Sequence, residues 1–196
     1  MRRTDQRLPA RLQRAALTLP VMPLQRYDRF AILLHWLVGL AVLAQFALGW
    51  WMIDLPKAGD GARAWWFNVH KSVGITLAAF VVLRLLWRAT HPAPPLPGSL
   101  ARWQRVAASA SHIGLYACML VLPLSGYIGS SFSRYPIKYF GAALPHWGWD
   151  WPAAKNLMAA VHETAAWTLA ALLALHVAAA LWHLAKADGI FRRMWA

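Results

Sequence analysis

Residues Met158–Leu184 read MAAVHETAAWTLAALLALHVAAALWHL. The stretch is long and apolar enough to cross a bilayer as one helix, yet it carries His162, His176 and His183. His162 and His176 stand fourteen residues apart. That interval is close to four helical turns and about 21 Å of rise. The two imidazoles therefore share one helix face, one toward each side of a hydrocarbon core about 30 Å thick. Ionisable or metal-binding side chains inside a membrane helix are costly and mark function. The spacing predicts two stacked metal cofactors, one per leaflet.

The rest of the composition agrees with a membrane chain. Of 196 residues, 59% are hydrophobic and only 14% charged, with 13 tryptophans. A soluble domain of this size carries more charge. The net charge of +13 would suggest nucleic acid on a soluble protein. Here the basic residues flank apolar runs, so they report membrane topology and exclude a nucleic-acid partner. The single cysteine, Cys118, rules out an intramolecular disulfide, a cysteine-rich zinc site and an iron–sulfur cluster held by this chain alone. Without a C-x-x-C-H motif, any haem is not covalently attached.

Four apolar runs stand out, at about 30–53, 70–87, 106–131 and 157–184. Each has the length of a helical span, whereas barrel strands would be shorter and alternating. The predicted fold class is all-α, an integral membrane four-helix bundle. Residues 1–25 read as a basic, disordered tail, and residues 26–196 as the membrane domain. The ends that hold both termini and the connection between spans two and three carry fourteen Lys and Arg, the opposite side six. The positive-inside rule then makes both termini cytoplasmic. The connection His91–Leu100 is proline-rich and should form a stiff strap. In the third span Pro123 should kink the helix. The long connection Phe132–Asn156 should hold a short interfacial helix or an ordered cap.

Depth sorts the histidines. His70 pairs with His162 near one face of the membrane, and His35 with His176 near the other. A bare zinc site wants four ligands, and only two histidines meet at each level. Two axial imidazoles suit a haem iron, whose macrocycle supplies the other four ligands. A macrocycle needs room beside its ligand, and the residue four positions on lies one turn along the same face. Those residues are Gly39, Gly74, Ala166 and Ala180, all small. His112 is followed at that interval by bulky Tyr116 and falls outside the set. Haem propionates need cationic partners at the interface. Arg84, fourteen residues after His70, is the natural clamp at the His35–His176 level. Lys71, Lys155 and hydroxyls of the outer loop are weaker candidates at the other.

A lone histidine in a membrane helix is often only a helix–helix hydrogen bond. Four of them with matched depth, shared faces and small neighbours argue against that. His183 sits at the cytoplasmic rim, where it serves as a plain interfacial group or bonds a quinone or a propionate. His91 and His146 read as solvated loop residues.

The chain resembles the prokaryotic cytochrome b561 family. The residues that carry the resemblance are RYDRFAILLHWLVG in span one, VHKSVGITLAAFVVLRLLWRATHPAPP through span two, HIGLYACMLVLPLSGY in span three, and VHETAAW with LHVAAALWH in span four. It implies a four-helix bundle with two non-covalent b-type haems, ligated by His35, His70, His162 and His176. It also implies that the histidine at the place of His112 is not an axial ligand. The implied activity is superoxide oxidation, with electrons crossing two haems to reduce ubiquinone. Lys71, Arg134, Lys138 and Lys155 would steer the anion. The alternative is a cytochrome b subunit that passes electrons between a partner dehydrogenase or hydrogenase and quinone.

Overall fold

In the computed structural model, which describes residues 25–57, 61–96 and 100–195, four long helices form the protein. They are α1 (Arg29–Ile53), α2 (Ala62–Thr90), α3 (Arg102–Ser131) and α4 (Pro152–Ala185). Each is long and apolar enough to cross a membrane, and the chain is a multi-pass membrane protein. The expected tail lies, apart from Gln25, outside the described residues, as do positions 97–99 of the strap.

Local chemistry sets the helix ends. Asp28 caps α1, its carboxylate accepting from the Ala31 N–H at 2.9 Å. Arg63 donates to the carbonyls of Ile53 and Leu55, satisfying acceptors that the last turn of α1 leaves open. Gly61, at φ 84°, lets the chain reverse into α2. Gln104 reaches back to the Ala101 N–H at 2.9 Å to start α3. Pro152 opens α4, where its missing N–H costs nothing.

Three helices run past the apolar cores that the sequence marks. The second begins at Ala62 rather than His70, the third at Arg102 rather than 106, and the fourth at Pro152 rather than 157. The additions are polar or Trp-rich turns at the membrane interface. There the backbone still gains from pairing its own N–H and C=O groups. Pro123 lies inside α3, which continues through it.

The connection from α3 to α4 holds no interfacial helix. It forms a two-stranded hairpin, β1 (Lys138–Tyr139) against β2 (Ala142–Ala143). Its two turn residues, Phe140 and Gly141, have φ 46° and 97°, the sign pair of a type I′ turn. The hairpin docks on α2 through Ser72, which is fully buried. The Ser72 hydroxyl donates to the Asn68 carbonyl at 2.7 Å and accepts the Phe140 N–H at 2.9 Å. The Tyr139 hydroxyl lies 3.0 Å from Thr76 Oγ1.

At the other end of the bundle the two termini of the described chain meet. Tyr27 N–H donates to the Arg193 carbonyl at 3.2 Å. The Arg193 side chain, buried in a 3-10 turn (Phe191–Met194), donates to the carbonyls of Gln25 and Pro94. Trp36 Nε1 donates to Met194 O at 2.8 Å. This is the terminal end of the bundle, and the opposite one is the hairpin end.

Between the two ends lies an apolar plug of Val38, Val42, Val81, Leu115, Cys118 and Leu169, with every helix contributing. Large apolar side chains such as Leu33, Leu40, Leu43, Leu86, Ile113 and Leu175 face outward, as a lipid-facing surface requires. Tryptophans ring both ends, as interfacial anchors do.

Candidate functional site

Two pairs of imidazoles sit on either side of the apolar plug. Near the hairpin end the rings of His70 on α2 and His162 on α4 have centroids 6.4 Å apart. Near the terminal end His35 on α1 and His176 on α4 are 6.0 Å apart. These are the pairs that depth and spacing select in the sequence. His112, set aside at that stage, also comes close, with its ring 5.5 Å from that of His176. That proximity depends on α3 packing along α4, which helical spacing within one chain segment does not reveal.

The His70–His162 pair borders a cavity of about 470 Å³ lined by all four helices and Ile137. Its wall is mainly apolar, with Gln45, Lys71, Tyr127, Ser130 and Glu163 as polar exceptions. Two glycines flank the rings. A Cβ on Gly49 would lie 3.5 Å from His70 Cε1, and one on Gly126 would lie 3.5 Å from His162 Cε1. The small-neighbour pattern in the sequence does not include either residue, although a spacing signal is there. Gly49 follows His35 by fourteen residues and Gly126 follows His112 by fourteen. The interval that joins His162 to His176, and His70 to Arg84, thus recurs on every helix.

Of the four small residues that follow the histidines by one turn, the two glycines differ. A Cβ on Gly39 would meet nothing within 4 Å, so open space lies beside the His35 level. A Cβ on Gly74 would meet Gln45 Nε2 at 3.3 Å, so Gly74 makes room for a side chain of α1. Ala166 lines the cavity.

Orientation of the rings is also defined. His162 Nδ1 lies 2.9 Å from the Leu122 carbonyl, and a carbonyl only accepts, so Nδ1 carries the proton and Nε2 keeps its lone pair. Ser125 Oγ lies 3.2 Å from the same nitrogen. At the other level Arg84 ties three helices together. It donates from Nε to the Tyr116 hydroxyl at 2.9 Å, from Nη1 to the Ala31 carbonyl at 3.1 Å, and from Nη2 to His35 Nδ1 at 3.3 Å.

The remaining sequence candidates lie farther out. Lys71 reaches the cavity wall, whereas Arg134 is exposed and pairs with Asp150 at 3.5 Å. His183 Nδ1 lies 2.6 Å from the Asp188 carboxylate. Burial pushes the Asp188 carboxyl up, but the His183 contact and the Ile190 N–H outweigh it and hold it below its ordinary value. His91 is exposed and stacks on Trp87 at 3.7 Å. His146 is exposed but bonds the Ser133 and Gly148 carbonyls, tying the loop together.

The model of the family described as prokaryotic cytochrome b561 matches residues 26–196. The chain belongs to the prokaryotic cytochrome b561 family. It is 36% identical over 177 residues to "Cytochrome b561 homolog 2" of Escherichia coli K12, covering 87% of this chain and 91% of that protein. It is 29% identical over 164 residues to "Cytochrome b561 homolog 1" of the same organism, covering 82% and 90%. A match to a Yersinia pestis protein named "Probable superoxide oxidase CybB" runs at 27% over 128 residues, 62% of this chain and 68% of that one. Cytochromes b561 are membrane electron-transfer proteins, and membership implies haem b.

The residues of this cytochrome b561 fit that cofactor. Among the described residues no group of three or more His, Cys, Asp and Glu could hold a bare metal ion. A macrocycle that brings four nitrogens of its own asks for only two from the protein. One metal ion between two imidazoles, with metal–nitrogen bonds of about 2 Å, needs ring centroids about 6 Å apart. Both pairs meet that distance.

Proposed function

We propose that the protein holds two b-type haems, one between His70 and His162 and one between His35 and His176, and carries electrons across the membrane from superoxide to ubiquinone. The observation that carries this reading is the pair of imidazole couples, 6.4 and 6.0 Å across, stacked on either side of one apolar plug. Bound haem supplies reversible one-electron transfer.

The chain's own groups do the rest. The Leu122 carbonyl fixes His162 with Nε2 free to ligate. Gly49 and Gly126 lie beside the His70 and His162 rings, where even a Cβ would make only ordinary contact. An imidazole ligating through Nε2 carries its proton on Nδ1, so a ligating His35 no longer accepts from Arg84. The freed arm of Arg84 is then available to a propionate, while Tyr116 and Ala31 hold the other two nitrogens. The apolar plug keeps water out of the space between the levels. Basic groups concentrate at the terminal end, which the positive-inside rule makes cytoplasmic in a bacterial inner membrane. Lys71 lines the cavity, and Lys138 on β1 and Lys155 in the first turn of α4 add positive charge at the same end, which favours the approach of superoxide. Arg134 has its charge offset by Asp150.

The electrons balance simply. Two superoxide anions give up one electron each and leave as dioxygen. One quinone takes both electrons with two protons and becomes quinol. The test is stopped-flow reduction of the purified protein by superoxide, followed by quinone reduction. Rates should fall in Lys71→Glu and Lys155→Glu and decline as salt rises. Haems that superoxide does not reduce would overturn the reading. Reduction only through a co-purifying dehydrogenase would move the protein to the electron-transfer-subunit class.

A further inference from the structure

Among the described residues, two buried side-chain polar atoms lack a hydrogen-bond partner, Gln45 Oε1 and His70 Nδ1. They are neighbours. Gln45 Nε2 donates to the backbone carbonyl of His70 at 2.8 Å. That carbonyl only accepts, so the amide nitrogen must face it and the amide oxygen is left over. A Cβ on Gly49 would lie 4.0 Å from His70 Nδ1, so this edge of the ring looks toward α1. Gly49 is one turn beyond Gln45 on the same face of α1. Gly74 makes room for the amide on α2, since a Cβ there would lie 3.3 Å from Gln45 Nε2.

A ligating imidazole ordinarily donates its second ring N–H to an acceptor, which fixes the tautomer and raises the basicity of the ligand. His162 has such an acceptor in the Leu122 carbonyl. For His70 the structure holds a potential donor without an acceptor, and beside it an acceptor without a donor.

We propose that Gln45 is the positioning residue of His70. When haem is bound, Gln45 Oε1 accepts the Nδ1–H of His70 while Nε2 keeps its bond to the His70 carbonyl. This rests on the ligation by His70 and His162 proposed above. The two ligands of that haem are then held differently, His162 by a backbone carbonyl and His70 by a side chain that substitution can change. Gln45 thereby sets how strongly His70 donates to iron, and so the potential of one haem and not the other.

The test is a spectroelectrochemical titration of the purified haem-loaded protein, with the second haem as internal reference. Gln45→Glu puts a full negative charge on the acceptor and favours oxidised haem. The expected change is roughly tenfold in the oxidised-to-reduced ratio, about 59 mV downward for a one-electron couple. Gln45→Leu removes the acceptor and moves the same component upward. Gln45→Met carries the leucine prediction if that variant does not accumulate. Opposite displacements of one component, with the other unmoved, support the assignment. No displacement, or displacement in the same direction by both substitutions, overturns it, because a merely structural role gives no such sign reversal. Failure of the underlying ligation is distinguishable, since His70→Ala would then retain both components of the wild-type titration.

Discussion

Replacing Gly39 by leucine separates the needs of the protein from those of its cofactor. A Cβ at Gly39 meets no atom within 4 Å, so the new side chain starts into open space in the polypeptide alone. Relative to glycine, leucine also favours a helix interior, by up to about 0.8 kcal/mol. The haem-free chain should therefore keep its stability or gain slightly. If the open space belongs to the macrocycle held by His35 and His176, leucine overpacks it. Overpacking costs about 1–3 kcal/mol, which at about 1.4 kcal/mol per tenfold means binding weaker by roughly 5- to 150-fold. The assay is the haem-to-protein ratio of the purified variant across a dilution series, with apparent melting measured on the haem-depleted form. One haem should be lost on dilution while melting holds. Gly126→Ala is the control, since its Cβ would sit at an ordinary 3.5 Å from His162 and should leave both haems in place. A Gly39→Leu protein that keeps two haems at all dilutions would show that the open space beside His35 does not hold the macrocycle.

Other consequences follow from contacts away from the two imidazole pairs. Ser72→Ala leaves the Phe140 N–H without its acceptor, a cost of about 1–3 kcal/mol. Hydrogen exchange at Phe140 should accelerate, and unchanged exchange would show that Ser72 does not hold the hairpin. Asp28→Ala removes the cap of α1 and should cost about 1 kcal/mol in apparent stability. Burial pushes the Asp28 carboxyl up, but hydrogen bonds from the Ala31 N–H and the Trp87 indole outweigh it and lower it. A carboxyl lowered on folding contributes fully above its unfolded value of about 4 and loses its contribution as pH falls through the folded value. The melting difference between wild type and Asp28→Ala should be constant near neutrality and shrink below about pH 4. A difference that persists in acid would contradict the carboxylate's role.

Much of the architecture is legible in the sequence, because a bilayer imposes a length and a composition that few other environments do. The four spans and their order follow from that constraint. The pairing of His70 with His162 and of His35 with His176 follows from depth alone, once spans are oriented alternately. Residues that act across helices are less legible. Gly49 and Gly126 sit beside the His70 and His162 rings of neighbouring helices, so the spacing one turn along each histidine's own helix does not reach them. Gln45 gains its meaning only when the amide lies against the His70 carbonyl. Tyr116 reads in sequence as bulk that excludes His112 from ligation, yet its hydroxyl also holds Arg84. The extension of α2 back to Ala62 is hidden because ARAWWFNV has the composition of an interface in either conformation. The hairpin is hidden because Phe140–Gly141 is a weaker turn signal than Asn–Gly.

The central claim is two haems, one on each imidazole pair. The most direct measurement is the haem b-to-protein ratio of purified wild type, His162→Ala and His176→Ala. Wild type should hold about two haems per chain and each variant about one, each variant lacking a different component of the wild-type redox titration. A variant that retains both haems, or one component lost in both variants, would contradict it.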